Sequence, residues 1–120
     1  MGTEVVARAR HIPMSPKKVR RVIDQVRGLD VDEALNVLQF LPQAAVRPVT
    51  KVINSAIANA EENVGLSRED LYISKIMADQ GPGVAPGKGW RRRYGARGRV
   101  RAIRKRSSHI TVVLEEREKP

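Results

Sequence analysis

The chain lacks cysteine altogether and has very few aromatic residues. None of its 120 residues is Cys, and only 3% are Phe, Trp or Tyr. Disulfide bonds and thiolate metal sites are therefore excluded, which fits a reducing compartment. Because 41% of the residues are apolar but so few are aromatic, the core of the single domain that we expect must consist of Val, Ile, Leu and Ala.

Long apolar runs are also absent. No segment approaches the roughly 18 consecutive apolar residues of a membrane span. The N-terminus has no apolar core of the kind that signal peptides contain. We therefore expect a soluble, non-exported, cytoplasmic protein without a membrane partner.

Acidic residues are missing from one stretch, Gly81 to Arg106. This stretch contains ten basic residues and no Asp or Glu, whereas the whole chain has 23 basic and 13 acidic residues. The rest of the chain then carries 13 of each, so the formal net charge of +10 belongs to 26 residues. A positive charge this concentrated indicates a polyanionic partner.

No pattern typical of an enzyme is present. Gly87-Lys88 resembles part of a phosphate-binding loop, but Pro82 and Gly89 stand where that motif requires Gly and Ser or Thr. The two histidines have no Cys to complete a metal site. His109 lies in a predicted strand, and we expect it to be a hydrogen-bonded structural residue. The sequence predicts no enzyme activity, no cofactor and no metal.

Hydrophobic periodicity predicts an α+β fold: three helices packed on a small three-stranded antiparallel sheet, with a long projecting basic β-hairpin. Strands are predicted over 3–11, 71–80 and 108–114, and helices over 15–28, 30–42 and from 44 or 47 to 63. In the second helix, Asp30 and Glu33 have the spacing of a capping box. In the second strand, Leu71, Ile73 and Met77 alternate and are expected on one face.

The strands over 71–80 and 108–114 flank the basic stretch, so the simplest topology makes them the arms of one antiparallel hairpin. We expect one domain over 1–120, with a body of 1–80 and 107–114, a hairpin of 81–106 and a charged tail of 115–120. Half of the 26 residues would reach roughly 40 Å if extended at about 3.3 Å each. The hairpin is therefore expected to project from the body.

The composition of the hairpin is typical of RNA binding. Arg grips phosphate and stacks on bases, and Trp90 and Tyr94 are expected to stack on unpaired bases. Packing of Trp90 within the loop is the alternative, and a cationic segment that orders on binding would also fit the composition. The predicted RNA-binding residues of this stretch are Lys88, Trp90, Arg91, Arg92, Arg93, Tyr94, Arg97, Arg99, Arg101, Arg104, Lys105 and Arg106.

The body carries a second group of candidate RNA contacts. Ser15 is a predicted helix N-cap with Pro16 at the first helical position, and cations in a first turn oppose the helix dipole unless an external phosphate pairs with them. A solvated charged face is the alternative interpretation. The candidates are Arg8 and Arg10 on the first strand and Lys17, Lys18, Arg20 and Arg21 around the first helix.

Several motifs, in this order, resemble the bacterial large-subunit ribosomal protein twenty-two family. They are Ser15-Pro16-Lys17-Lys18-Val19-Arg20, the segment 51–60 (Lys-Val-Ile-Asn-Ser-Ala-Ile-Ala-Asn-Ala), Asp79-Gln80-Gly81-Pro82, Ala96-Arg97-Gly98-Arg99 and the segment 103–112 (Ile-Arg-Lys-Arg-Ser-Ser-His-Ile-Thr-Val). The last motif is the most specific of them. Between Gly81-Pro82 and Ala96 this chain is longer and richer in Gly than is usual in the family.

The resemblance implies a structural constituent of the large ribosomal subunit that binds large-subunit (23S-type) rRNA and helps early subunit assembly. It implies a body near the exit of the nascent-peptide tunnel and a hairpin whose tip lines the tunnel wall. The implied partners are several rRNA domains, neighbouring large-subunit proteins and the nascent polypeptide. By the same resemblance, the rRNA contacts of the body include Ser15, Lys17, Lys18 and Arg20. Ser107 and His109 join the basic residues of the returning arm as rRNA contacts.

Two other function classes fit the sequence less well. An architectural DNA-binding protein would use the basic ribbon in a groove of the duplex, but the chain lacks the long dimerising apolar surface expected of one. A membrane-active cationic protein needs an amphipathic basic helix with a strong apolar face, and the Arg-rich stretch has none. The sequence therefore favours the ribosomal protein.

Overall fold

The computed structural model describes residues 4–80, 90–94, 100–104 and 107–117, and for 90–94 and 100–104 it describes the backbone alone. In chain order the elements are β1 (Glu4–Ile12), α1 (Pro16–Ile23), α2 (Val31–Gln39), α3 (Val46–Asn59), β2 (Leu71–Gln80), β3 (Trp90–Tyr94), β4 (Val100–Arg104) and β5 (Ser108–Glu116). A π-helical turn, Ala60–Val64, continues α3, and a single 3-10 turn, Arg68–Asp70, precedes β2. The predicted α+β class is confirmed.

The body is built on a three-stranded antiparallel sheet with the order β1-β5-β2. The central strand β5 alternates as its sequence predicts, because Ile110, Val112 and Leu114 are fully buried while His109 and Thr111 are half-buried on the other face. The last strand of the chain, β5, therefore lies between the first strand, β1, and β2. The predicted three-stranded sheet is thus confirmed.

Three helices cover the inner face of this sheet and enclose an aliphatic core. α3 packs against β1 and β5, and α1 packs against β2. The apolar side chains of α1, Val19, Val22 and Ile23, are buried, and so is Val26 in the turn that follows the helix. Gly28 and Gly65 end the first and third helical segments in left-handed conformations, with φ of +81° and +76°, which favour glycine.

The prediction for the inner face of β2 was wrong at Met77. Leu71 and Ile73 are buried as expected, but the register with β5 shifts by one residue between Ile73 and Lys75. This β-bulge inserts Ser74, and everything after it changes face. The buried residues beyond the bulge are Ile76 and Ala78.

The predicted capping box of α2 was also wrong. Asp30 is the N-cap residue, but its side chain accepts no capping hydrogen bond. Its carboxylate instead accepts a hydrogen bond from Nε of Arg117, at 2.5 Å. The carboxylate is therefore engaged by the C-terminal segment, 87 residues away, rather than by the backbone of its own helix.

The flanking strands of the basic stretch leave the sheet side by side. The pairing of β2 with β5 ends at Gln80 and Ser108. β3 and β4 form a separate antiparallel pair in which Trp90 is opposite Arg104 and Tyr94 is opposite Val100. Nine residues separate β2 from β3 but only three separate β4 from β5, so the two arms are unequal in length.

Candidate nucleic-acid interface

The sheet gives the body two distinct ends. We call the end formed by Ile12, Ser108 and Gln80, where the basic stretch departs, the hairpin end. We call the opposite end, where Glu4 is opposite Glu115, the acidic end. α1 begins beside the hairpin end, because the buried Ser108 hydroxyl donates a 2.6 Å hydrogen bond to the carbonyl of Met14. The candidate contacts of the body can be placed with respect to these two ends.

The first turn of α1 lies at the hairpin end with its cations exposed. Ser15 is the N-cap, and its hydroxyl accepts a hydrogen bond from the backbone N–H of Lys18 at 3.4 Å. Pro16 occupies the first turn, as predicted. Lys17 and Lys18 are exposed, and no acidic residue lies in this turn. The uncompensated positive charge at a helix N-terminus favours an anionic ligand.

Arg20 contacts the protein itself. Its Nε and Nη2 both donate to the carbonyl oxygen of Ala78, at 3.1 and 2.8 Å. Arg27, in the turn after α1, donates from Nη2 to the carbonyl of Ile76 at 2.9 Å. β2 is an edge strand, so these two guanidinium groups occupy carbonyls that would otherwise be open to solvent or to another strand.

The outer face of the sheet forms a shallow depression of about 340 Å³ near the hairpin end. A bulge in β1 places two residues, Arg10 and His11, opposite His109, and His11 has a left-handed φ of +58°. The backbone N–H of His11 donates to Nδ1 of His109 at 3.2 Å, and the two rings meet edge to face at 5.0 Å. The lining residues are Arg8, Arg10, His11, Asp79, His109 and Thr111.

His109 is hydrogen-bonded, as expected, because its Nδ1 accepts from the backbone N–H of His11. The depression gathers cations and two imidazole rings beside a single carboxylate, that of Asp79, an arrangement that can accept a phosphate group.

Ser107 is buried, with only 1% of its surface accessible. It lies next to Ser108, whose hydroxyl ties the returning chain to the loop before α1. A contact of Ser107 with rRNA stays a prediction.

The candidates in the hairpin divide into two sets. Trp90, Arg91, Arg92, Arg93, Tyr94, Arg101 and Arg104 lie on the paired strands β3 and β4. Lys88, Arg97, Arg99, Lys105 and Arg106 lie outside the described residues. In the register of these strands, Arg93 is opposite Arg101.

The chain outside residues 81–106 is neutral in sum, but the fold separates its acidic and basic residues. The exposed cations near the hairpin end are Arg8, Arg10, Lys17, Lys18 and Arg21, with Asp79 as an acid among them. The acidic end holds Glu4, Asp30, Asp32, Glu69, Glu115 and Glu116. Its cations, Arg68 and Arg117, are paired with Asp32 and Asp30. The positive field is therefore directed to the side from which the basic stretch departs.

Sequence reasoning missed Arg27, Arg47 and Lys51. The contact between Arg27 and Ile76 spans 49 residues, and nothing in the local sequence indicates it. Arg47 and Lys51 are four residues apart on α3 and exposed. That spacing places them on one helix face and was the signal available for finding them.

The described part of the chain contains neither a candidate metal site nor a candidate membrane span. No group of His, Asp and Glu residues there lies close enough to hold a metal ion. Within the same residues, no helix has the length and apolar character that crossing a bilayer requires. What the described surface offers is positive charge concentrated at one end of an α+β body.

Such a fold and surface define a small basic protein that suits a polyanionic partner. The family model of ribosomal protein L22p/L17e matches residues 7–115. Similar proteins include "Large ribosomal subunit protein uL22" of Synechococcus sp. (strain JA-3-3Ab), 52% identical over 111 residues, which are 92% of this chain and 86% of the relative. The proteins with the same description from Thermoanaerobacter sp. (strain X514) and Desulfitobacterium hafniense (strain DSM 10664 / DCB-2) are 48% and 47% identical. These alignments span 96% and 92% of this chain and 99% and 92% of those relatives.

The chain belongs to the ribosomal protein L22p/L17e family. It is therefore a structural constituent of the large subunit of the cytoplasmic ribosome and not an enzyme. The expected resemblance is confirmed over nearly the whole chain.

Proposed function

We propose that the protein binds large-subunit rRNA with the hairpin end of its body and with its basic hairpin, and that this binding helps early subunit assembly. The observation that carries the proposal is the charge distribution. The net charge of +10 resides in residues 81–106, and the exposed cations of the body face the same side. The proposed contacts on the body are Arg8, Arg10, Lys17, Lys18, Arg21 and His109.

We further propose that the hairpin lines the nascent-peptide exit tunnel while the body stays near the tunnel exit. The family likeness and the antiparallel pairing of β3 with β4 support this arrangement, because a two-stranded ribbon is narrow enough to pass between RNA helices. The division into a body of 1–80 and 107–114, a hairpin of 81–106 and a tail belongs to the same proposal. Neighbouring large-subunit proteins and the nascent polypeptide are its further partners.

Competition binding tests the RNA part of the proposal. Purified protein bound to a large-subunit rRNA transcript is challenged with duplex DNA of equal phosphate content at physiological salt. We expect rRNA to be retained, because folded RNA offers unpaired bases and shaped grooves that plain duplex DNA lacks. Equal displacement by DNA would instead indicate non-specific binding to polyanions.

Crosslinking tests the tunnel part of the proposal. A photoreactive amino acid replaces Trp90 in ribosomes stalled with a nascent chain, and a second variant carries it at Glu62, beyond α3 on the side of the acidic end. We expect crosslinks from position 90 to tunnel rRNA or the nascent chain, and none to the nascent chain from position 62. Absence of both products at position 90, in ribosomes shown to contain the protein, would contradict the proposed tunnel location.

A further inference from the structure

A groove on the body, separate from the outer face of the sheet, runs between the start of α1 and the N-terminal half of α3. It consists of two adjoining depressions of about 730 and 290 Å³ that share Gln43 and Ala44. The larger one is lined along α3 by Val46, Arg47, Thr50, Lys51 and Asn54, with Leu41 at its edge. The smaller one is lined by Met14, Lys18, Arg21 and Ala45.

Four cations line this groove: Lys18 and Arg21 from α1, and Arg47 and Lys51 from α3. No Asp or Glu is among the lining residues of either depression. The positive end of the α3 dipole also points here, since the uncapped N-terminus of that helix begins at Ala45 and has no acid in its first turn.

The charges in the groove differ from the other cations of the body. Arg20 and Arg27 donate to backbone carbonyls, and Arg68 and Arg117 pair with carboxylates. Within the described part of the chain, no hydrogen bond or ion pair engages the side chains of the groove cations. A protein keeps several like charges together without counter-charge at a cost, so this arrangement indicates an external anion.

The groove is also continuous with the proposed RNA-binding surface. Met14 lines the smaller depression, and its carbonyl accepts the hydrogen bond from Ser108 at the base of the hairpin. A phosphate backbone lying on the first turn of α1 would therefore enter the groove at Lys18 and continue toward Lys51. An acidic protein segment would match the charge as well, but the continuity with the hairpin base favours RNA.

We propose that this groove binds the sugar–phosphate backbone of large-subunit rRNA, with Arg47 and Lys51 as contacts additional to those of the hairpin and of α1. The proposal rests on the proposed function, because it extends the same RNA surface over the body. Thr50 and Asn54 line the groove between and beyond these cations and supply polar groups for sugar and phosphate oxygens. The contact does not depend on the RNA sequence, because it involves the sugar–phosphate backbone and not the base edges.

The test measures how the affinity for a large-subunit rRNA transcript depends on salt. The groove variant is Arg47→Gln with Lys51→Gln, and the control is Arg68→Gln with Lys75→Gln, which removes the same charge from exposed positions outside the groove. Each phosphate contact contributes about 0.7 to 0.9 to the slope of log K against log salt. We expect the groove variant to lose about one to two units of slope and the control to lose none.

A second measurement locates the RNA. Because the chain has no cysteine, a cysteine introduced as Asn54→Cys or as Glu62→Cys is a unique attachment point for an iron chelate that cleaves nearby RNA. We expect cleavage of the bound rRNA from position 54 and not from position 62. Circular dichroism and thermal unfolding of each variant confirm that it is folded.

The outcomes separate this inference from the proposed function. If the parent protein binds rRNA with a steep salt dependence but the groove variant keeps its slope and position 54 cleaves nothing, the groove does not bind RNA and the inference is overturned. If the groove variant binds free rRNA normally but fails to enter assembled subunits, the groove belongs to a neighbouring protein, which also overturns it. A flat salt dependence of the parent protein would contradict the proposed function itself.

Discussion

Arginine residues of the short helix α1 and of the turn after it perform different tasks in this protein. Arg20 and Arg27 hold α1 against the edge of the sheet through the carbonyls of Ala78 and Ile76. Arg21, beside Arg20 in sequence, is exposed and lines the groove. The position around the helix decides whether a guanidinium group contributes to stability or remains available to a partner.

Replacing Arg20 and Arg21 separately distinguishes these tasks. We expect Arg20→Gln to lower the free energy of unfolding by about 1 kcal/mol, because it removes a two-donor hydrogen bond to a partly buried carbonyl. Arg21→Gln should change stability by less than about 0.5 kcal/mol but weaken rRNA binding at moderate salt. Urea unfolding and filter binding of both variants measure the two effects, and the reverse pattern would refute the assignment.

The sequence predicts those features of α1 that depend on neighbouring residues, but not the contacts of α1 with distant ones. Ser15 and Pro16 mark its start through a cap and a fixed φ, and both predictions are confirmed. The bond from Arg20 to Ala78 joins residues 58 apart, so it depends on where α1 lies on the sheet. For the same reason the charged pattern of α1 alone does not separate stabilising arginines from available ones.

For the edge strand β2, too, the sequence predicts only part of the structure. Its existence and length follow from the sequence, but the inserted residue at the bulge does not, because Ser74 is an ordinary strand residue by composition. Its hydroxyl donates to the carbonyl of Val113 at 3.1 Å, which helps to satisfy the locally disrupted ladder. A strict period of two therefore fails for the second half of the strand.

Substitution of neighbouring residues in β2 tests the bulge. Ile76→Ala should destabilise the protein by about 2 to 4 kcal/mol, because it empties a fully enclosed aliphatic site. Met77→Ala should cost less than about 1 kcal/mol, since that side chain is 39% exposed. Equilibrium unfolding in urea gives both values, and a larger loss at Met77 than at Ile76 would show that the strand keeps a regular alternation.

At the scale of the whole molecule, charge is arranged along one direction. The acidic end pairs its own cations in Arg68–Asp32 and Arg117–Asp30 contacts, whereas the hairpin end and the groove leave theirs exposed. We propose that this polarity helps the hairpin to orient the protein in the subunit, because the acidic end repels phosphate.

The polarity of the body was invisible in the sequence, although the basic stretch was evident from it. Equal numbers of acidic and basic residues outside 81–106 suggest an even distribution. The fold separates them, because β5 returns between β1 and β2 and brings Glu115 beside Glu4, while α1 and α3 start near the other end. Such a separation follows from the strand order, which charge counts along the chain do not contain.

The central claim is that the basic hairpin supplies most of the electrostatic affinity for rRNA while the body folds without it. The direct measurement compares the full chain with one in which residues 81–106 are replaced by a short Gly/Ser linker, using binding to large-subunit rRNA over a range of salt. We predict a slope of log K against log salt of about −4 to −9 for the full chain, as roughly six to ten phosphate contacts require. The shortened chain should unfold cooperatively and retain less than half of that slope, whereas an unchanged slope, or a shortened chain that no longer folds, would contradict the account.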